Sequence, residues 1–242
     1  MTIMQAGARR GNRAGILSAA AALLAVAAFS SPIVLWKETF SSEVKDGGKV
    51  LPKGWELKTK LGTAASEFYL AKDEKTGITF LHMESDKSSA SVVCSPEKVN
   101  IRETPVIRWK WRANKLPEGG DGRPGGKDDQ AIGIYVGTGS LLSKKSVSYR
   151  WDTDTPKGAE GNCSYLGGSL KIKWFTLRNK EDKTGEWFVE ERNVAEDFNK
   201  AWGYYPEEIY VSVSCNSQYT GTKSSADLGW IEMVPVPAGD EK

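Results

Sequence analysis

Apolar and polar residues alternate with a period of two along most of the chain. The segments "ITFLHME" (78–84), "SVVCS" (91–95), "VIRWKWRA" (106–113), "AIGIYVG" (131–137), "VSYRWD" (147–152), "LKIKWF" (170–175), "EWFVEER" (186–192), "IYVSVSC" (209–215) and "LGWIEMV" (228–234) all carry it. Gly, Pro, Asp or Ser clusters bound them, as expected of strands joined by turns. Many short strands without intervening helices predict an all-β fold, an antiparallel β-sandwich of jelly-roll type. One stretch has helical spacing instead. "VAEDFNKAW" (194–202) is closed by Gly203 with Pro206 beyond, which predicts one short helix.

Alternation assigns each strand two faces. Ile107, Trp109, Trp111, Ile132, Ile134, Val136, Val147, Tyr149, Trp151, Leu170, Ile172, Trp174, Ile209, Val211 and Val213 form the expected core face. The opposite face carries Arg108, Lys110, Arg112, Gly133, Tyr135, Arg150, Lys171, Lys173, Tyr210, Ser212 and Ser214. An antiparallel sheet ordinarily turns one side to water, and that alone accounts for polar residues there. Arg, Lys and Tyr at alternating positions can also hold an extended polymer, with rings against sugar planes and guanidinium groups on carboxylates. Gly133 would leave room beside Tyr135, or mark a bulge.

The N-terminus breaks this pattern. Arg9, Arg10 and Arg13 precede an apolar run from Ala14 to Phe29, and small residues near Ala27 and Ser30 suit cleavage. Residues 1–30 therefore read as a signal peptide and 31–242 as a single β-sandwich domain, periplasmic or secreted. A membrane is a partner only if the segment stays uncleaved, since about 20 apolar residues can span a bilayer. Removing residues 1–30 leaves 30 basic against 31 acidic side chains, a net charge of −1. That near-neutral balance argues against nucleic acid as a partner. Cys94 and Cys215 lie in strand-like runs and Cys163 in a Gly-rich loop; all three are expected to be reduced or structural, although sequence leaves their pairing open.

The stretch "PEGGDGRPGGKDD" (117–129) has the composition of a phosphate or calcium loop and fails both tests. Asp128 stands where a phosphate loop needs a hydroxyl, and the Glu of an EF-hand is absent. A cation held by Asp121, Asp128 and Asp129 would be calcium; otherwise no cofactor is called for, and one histidine without paired cysteines makes no transition-metal site. His82 has no nucleophile elbow to serve. Paired carboxylates for glycoside hydrolysis, or a Tyr or Lys base beside an Arg for uronate cleavage, remain open as alternatives.

Several separated motifs resemble one uncharacterised secreted bacterial family, domain of unknown function 3047. They are "RWKW" (108–111), "KDDQAIGIYV" (127–136), "YRW" (149–151), Trp187, "ERNVAEDF" (191–198) and Gly203, and the resemblance covers about residues 78–234. It implies an extracytoplasmic β-sandwich similar to carbohydrate-binding jelly rolls, with no activity attached. Asp128, Asp129, Tyr149, Trp151, Trp187, Arg192, Asn193 and Asp197 match the family's pattern. The chain departs from it at "NSQYTG" (216–221), where the family usually has an acidic run. Arg192, Asn193 and Asp197 are expected to be structural, with Asp197 pairing either with Arg192 across the strand-to-helix corner or with Lys200 along the helix. Arg108, Lys110, Arg112, Tyr135, Arg150, Asp128 and Asp129 are the candidate ligand-binding residues. The function expected is binding of a carbohydrate polymer, with an acidic one favoured. A polysaccharide lyase, a glycoside hydrolase and a purely structural envelope protein are the alternatives.

Overall fold

All nine alternating segments form strands, and the helical segment forms a helix with the expected bounds. The computed structural model describes residues 36–41, 49–97, 99–140 and 143–236; the expected signal peptide lies outside them. In chain order the strands are β1 (Trp36–Glu38), β2 (Glu56–Thr59), β3 (Glu67–Lys72), β4 (Thr79–Asp86), β5 (Ser89–Cys94), β6 (Val106–Lys115) and β7 (Ile132–Ser140). There follow β8 (Ser143–Trp151), β9 (Glu160–Tyr165), β10 (Leu170–Arg178), β11 (Phe188–Asn193), the helix α1 (Val194–Trp202), β12 (Tyr210–Asn216) and β13 (Lys223–Val234). No helix among the described residues is long and apolar enough to cross a membrane.

Two sheets result, as predicted for a β-sandwich. One runs β11-β6-β13-β4-β3, with β1 added to β13; the other runs β2-β5-β12-β7-β8-β10-β9. All pairs are antiparallel except β8 with β10, which is parallel. The core lies between the sheets, and its centre is aromatic. Trp109 stacks on Tyr149 at 5.2 Å, Trp111 meets Trp151 at 5.7 Å, and Trp151 meets Phe188 edge-on at 5.5 Å. Trp109, Trp111, Tyr149 and Trp151 are fully buried. Burying a large apolar side chain is worth roughly 1.5–3 kcal/mol, so this seam between β6 and β8 is a main bond between the layers.

Two expectations about faces need correction. β10 is turned over relative to the expected phase. Its parallel register sets Phe175 beside the core residue Tyr149 and Trp174 beside Ser148 on the outer face. Ile172 and Trp174 are therefore buried against the outside of the seven-stranded sheet and are not part of the core between the sheets. Lys173 and Phe175 point the other way. The second correction concerns the expected polar face, which is in fact two faces. Arg108, Lys110 and Arg112 stand on the six-stranded sheet, whereas Tyr135 and Arg150 stand on the seven-stranded one. Cys163 also lies on β9 and not in a loop, and Cys94, Cys163 and Cys215 are all free thiols.

Candidate functional site

The outer face of the seven-stranded sheet is built from small side chains and flat rings. Register aligns Ser212, Tyr135, Ser148, Trp174 and Gly161 in one row across β12, β7, β8, β10 and β9. Two positions along, the adjacent row holds Tyr210, Gly137, Ser146, Ile172 and Cys163. Each glycine has a ring against it. A Cβ at Gly133, Gly137 or Gly161 would overlap the ring of Tyr135, Tyr210 or Trp174, respectively. Only glycine permits an approach this close, so the three rings lie down along the sheet and do not stand up from it. Tyr135 and Tyr210 remain partly exposed, whereas Trp174 is almost fully covered. Lys144 sits over the Tyr210 ring at 5.7 Å and Arg150 over Trp174 at 5.6 Å.

A buried polar hub fixes one end of this platform. The Arg150 guanidinium bonds Asp128 and, at 2.9 Å, the side-chain oxygen of Gln130, and its Nε faces Asp152 at 3.3 Å. Gln130 in turn donates to the Tyr135 hydroxyl at 2.8 Å and to Ser214 Oγ at 3.0 Å. Tyr165 donates its hydroxyl to Asp128. Burial opposes charge on Arg150, but Asp152 and Asp128 hold its pKa above the ordinary value. Burial raises the pKa of Asp152 and pushes the Tyr135 hydroxyl up to about 12. Both loop acids are engaged within the protein. Asp128 pairs with Arg150, and Asp129 is fully buried with Oδ2 accepting from the Thr220 amide at 2.7 Å. The stretch 216–221 and Asp129 thus meet in space, through a backbone amide. The Gly-rich loop is itself tied down: Thr153 Oγ1 donates to the Pro117 carbonyl at 2.5 Å, and Gly122 N to Thr155 Oγ1 at 2.9 Å.

The six-stranded outer face has a different character, because Arg108 and Arg112 are already paired with acids. Arg112 Nε donates to Asp227 at 2.5 Å and lies 4.5 Å above the Trp187 ring. Lys110 shares that ring at 5.3 Å. Arg108 pairs with Glu191 at 3.1 Å and Glu232 at 3.6 Å. Among the candidate ligand residues, then, the fold gathers Asp128, Tyr135 and Arg150, with Asp129 nearby in sequence, and sets Arg108, Lys110 and Arg112 apart.

A family model described as "protein of unknown function (DUF3047)" matches residues 53–232. The chain belongs to this family. A search of curated protein sequences returns no match. Among solved structures, the DUF3047 chain is similar to the xyloglucanase domain of the type three effector NopAA from Sinorhizobium fredii, solved with cellobiose. That match has 10% identity, a TM-score of 0.47, and covers 84% of this chain and 100% of the other. The family 11 carbohydrate-binding module of a Clostridium thermocellum cellulosomal cellulase gives 10% identity and a TM-score of 0.41, covering 81% and 94%. Tailspike protein 4 of bacteriophage CBA120 gives 9% and 0.38, covering 75% of this chain; the match spans only 20% of the tailspike chain.

The DUF3047 motif "ERNVAEDF" builds the corner where β11 enters α1. Asn193 caps the helix, accepting from the Glu196 amide at 3.1 Å, and Gly203 ends it at φ 79°. Asp197 receives Arg192 at two points, 3.0 and 2.8 Å, and the Tyr149 hydroxyl at 2.8 Å. These contacts tie α1 to β11 and to β8. Sequence reasoning missed Trp174, which it placed in the core, and the bridging Gln130 and Tyr165. The glycines at 133, 137 and 161 were the available signal.

Proposed function

We propose that this DUF3047 domain is an extracytoplasmic, periplasmic or secreted carbohydrate-binding domain that holds a polysaccharide chain on the outer face of its seven-stranded sheet. The observation that carries this reading is the pair of partly exposed rings, Tyr135 and Tyr210, each laid over a glycine, with Trp174 buried beside them against Gly161. A flat ring offers an apolar plane to the apolar face of a pyranose. Arg150 serves as a support, because two buried acids already occupy it. Its part is to fix Gln130, and through it Tyr135, in place.

Affinity gel electrophoresis of the purified protein across a panel of neutral and acidic polysaccharides tests this. At least one polymer should retard the protein, and Tyr210→Ala should weaken that retardation about tenfold while Tyr210→Phe preserves it. Equal retention of all three proteins would rule the platform out.

A further inference from the structure

Strand β10 serves two surfaces, because its alternation sends Trp174 to the platform and Lys173 and Phe175 to the opposite side. There, between β9, β10, β11 and α1, lies an open cleft of about 410 Å³. That size falls within the range of small-molecule sites, roughly 300–1,000 Å³. Its chemistry is uneven. Lys173, Arg192 and Lys200 line it with Glu160, Asn162 and Asp197. Asp197 is already saturated, since Arg192 and Tyr149 take both its oxygens. Arg192 is thereby held in one orientation over the Phe175 ring, at 5.1 Å.

Lys173 is the unusual member. Its side chain is only 19% exposed, and its ammonium lies 5.5 Å from the Phe175 centroid. Lysine is seldom this covered without a firm partner. Its partner here is Glu160 at 3.1 Å, which is 56% exposed and so a weak, exchangeable ion pair. Lys200 is looser still, 3.8 Å from Glu196 and 74% exposed. Arg192 and Asp197 offset one another, so Lys173 and Lys200 are the two loosely paired cations on a space whose other acid, Glu160, sits at the surface.

We infer that this cleft binds a single acidic sugar of the hexuronate class, one carboxylate on a ring bearing several hydroxyls. The carboxylate would sit between Lys173 and Lys200, where charge-assisted hydrogen bonds are strongest, with the Arg192–Asp197 pair forming the wall beside it. Asn162 and Glu160 would meet the hydroxyls, one able to donate and accept, the other to accept. A dianion such as phosphate fits less well, because Glu160 faces its second charge and phosphate presents few donors to an acceptor. The inference rests on the cleft alone and stands apart from the aromatic platform.

Isothermal titration of the purified protein with glucuronate, glucose and inorganic phosphate decides it. Glucuronate should bind, and glucose and phosphate should bind at least tenfold more weakly. Lys200→Gln, at an exposed helix position that the fold does not need, should weaken glucuronate several-fold. Lys173→Gln with Lys200→Gln should weaken it at least tenfold, with an unchanged circular dichroism spectrum as the folding check. No glucuronate heat, equal affinity in wild type and both variants, or tighter binding of phosphate would each overturn the inference. Polymer retention is read separately through Tyr210→Ala, so either site can fail without the other.

Discussion

Arg192 grips Asp197 through two hydrogen bonds, Nε at 3.0 Å and Nη2 at 2.8 Å, and the buried Tyr149 hydroxyl completes the same carboxylate at 2.8 Å. One acid on α1 thereby ties the helix both to β11 and to the core strand β8. Removing one partner of a fully buried pair costs about 3–5 kcal/mol. Arg192 is 33% exposed and water can resolvate it, so Asp197→Ala is expected at about 2–3 kcal/mol. Tyr149→Phe should cost about 1 kcal/mol. Urea denaturation of the two single variants and the double should give a non-additive cycle, since both act on one carboxylate. Additive losses would mean that the three groups do not act as a unit.

A second prediction concerns pH. His82, the chain's one histidine, has Nδ1 2.5 Å from Asp227 and Nε2 2.8 Å from Glu84. Burial works against its charge, but hydrogen bonds to Asp227 and Glu84 raise its pKa above the ordinary value. Asp227 is lowered against burial by bonds from His82, Asn114 and Arg112. Tyr69 and Lys49 complete the charged surroundings at Glu84 and Glu67. A raised histidine stabilises the fold fully below its unfolded value of about 6.5, and that contribution is lost as pH rises through the folded value. The Asp227 contribution is lost at the other end, as pH falls from about 3.9 through its lowered folded value. Thermal stability should therefore fall with rising pH above about 6.5, and His82→Gln should flatten that slope. The single imidazole resonance must titrate above about 6.5.

Arg150 is predicted to be the most sensitive of the charged positions. Its side chain is 2% exposed, and Asp128 and Asp152 both face it. Arg150→Ala leaves two acids close together without a counter-charge, at a cost of about 3–5 kcal/mol or a fall in melting temperature on the order of 10 °C. Because burial already raises the pKa of Asp152, lowering the pH should protonate it and recover part of the loss. A melting temperature unchanged by the substitution at neutral pH would contradict the support role.

Gly137 offers a test of the platform that leaves every ring in the sequence. A methyl group there collides with Tyr210, so Gly137→Ala should lift the ring and reduce polymer retention about as far as Tyr210→Ala does. Gly125 has nothing within 4 Å, and Gly125→Ala should leave retention and melting temperature as they are. Retention by Gly137→Ala at the wild-type level would separate the glycine from the site.

The sequence made most of the sandwich legible because a half-buried strand must alternate. Of the strands it concealed, β3 does alternate, with Phe68 and Leu70 inward, and was overlooked, whereas β2 and β9 lack that constraint. β2 is exposed at all four positions and β9 carries "EGNCSY", with no apolar series to read. The helix was legible through its cap and its terminal glycine. Partition of the polar residues was not, because alternation says that Arg112 and Tyr135 each face outward without saying which sheet holds them. Trp174 was assigned inward for the same reason: an apolar series marks a covered face, and β10 has cover on both sides. The pairing of Asp128 with Arg150 depends on a loop folding back over the sheet, which no local pattern encodes.

The turned-over strand β10 also sets how much length variation the molecule can absorb. Consecutive residues there serve different surfaces, Lys173 the cleft and Trp174 the rings. Inserting or deleting one residue between 171 and 175 would exchange their places, put an ammonium among the platform serines and drive an indole into the cleft. Only a change of two residues would restore the order, and that would still move each group by about 7 Å along the strand. Evolutionary drift in length is therefore expected to collect in turns such as 180–186, while the short run 171–175 keeps its count.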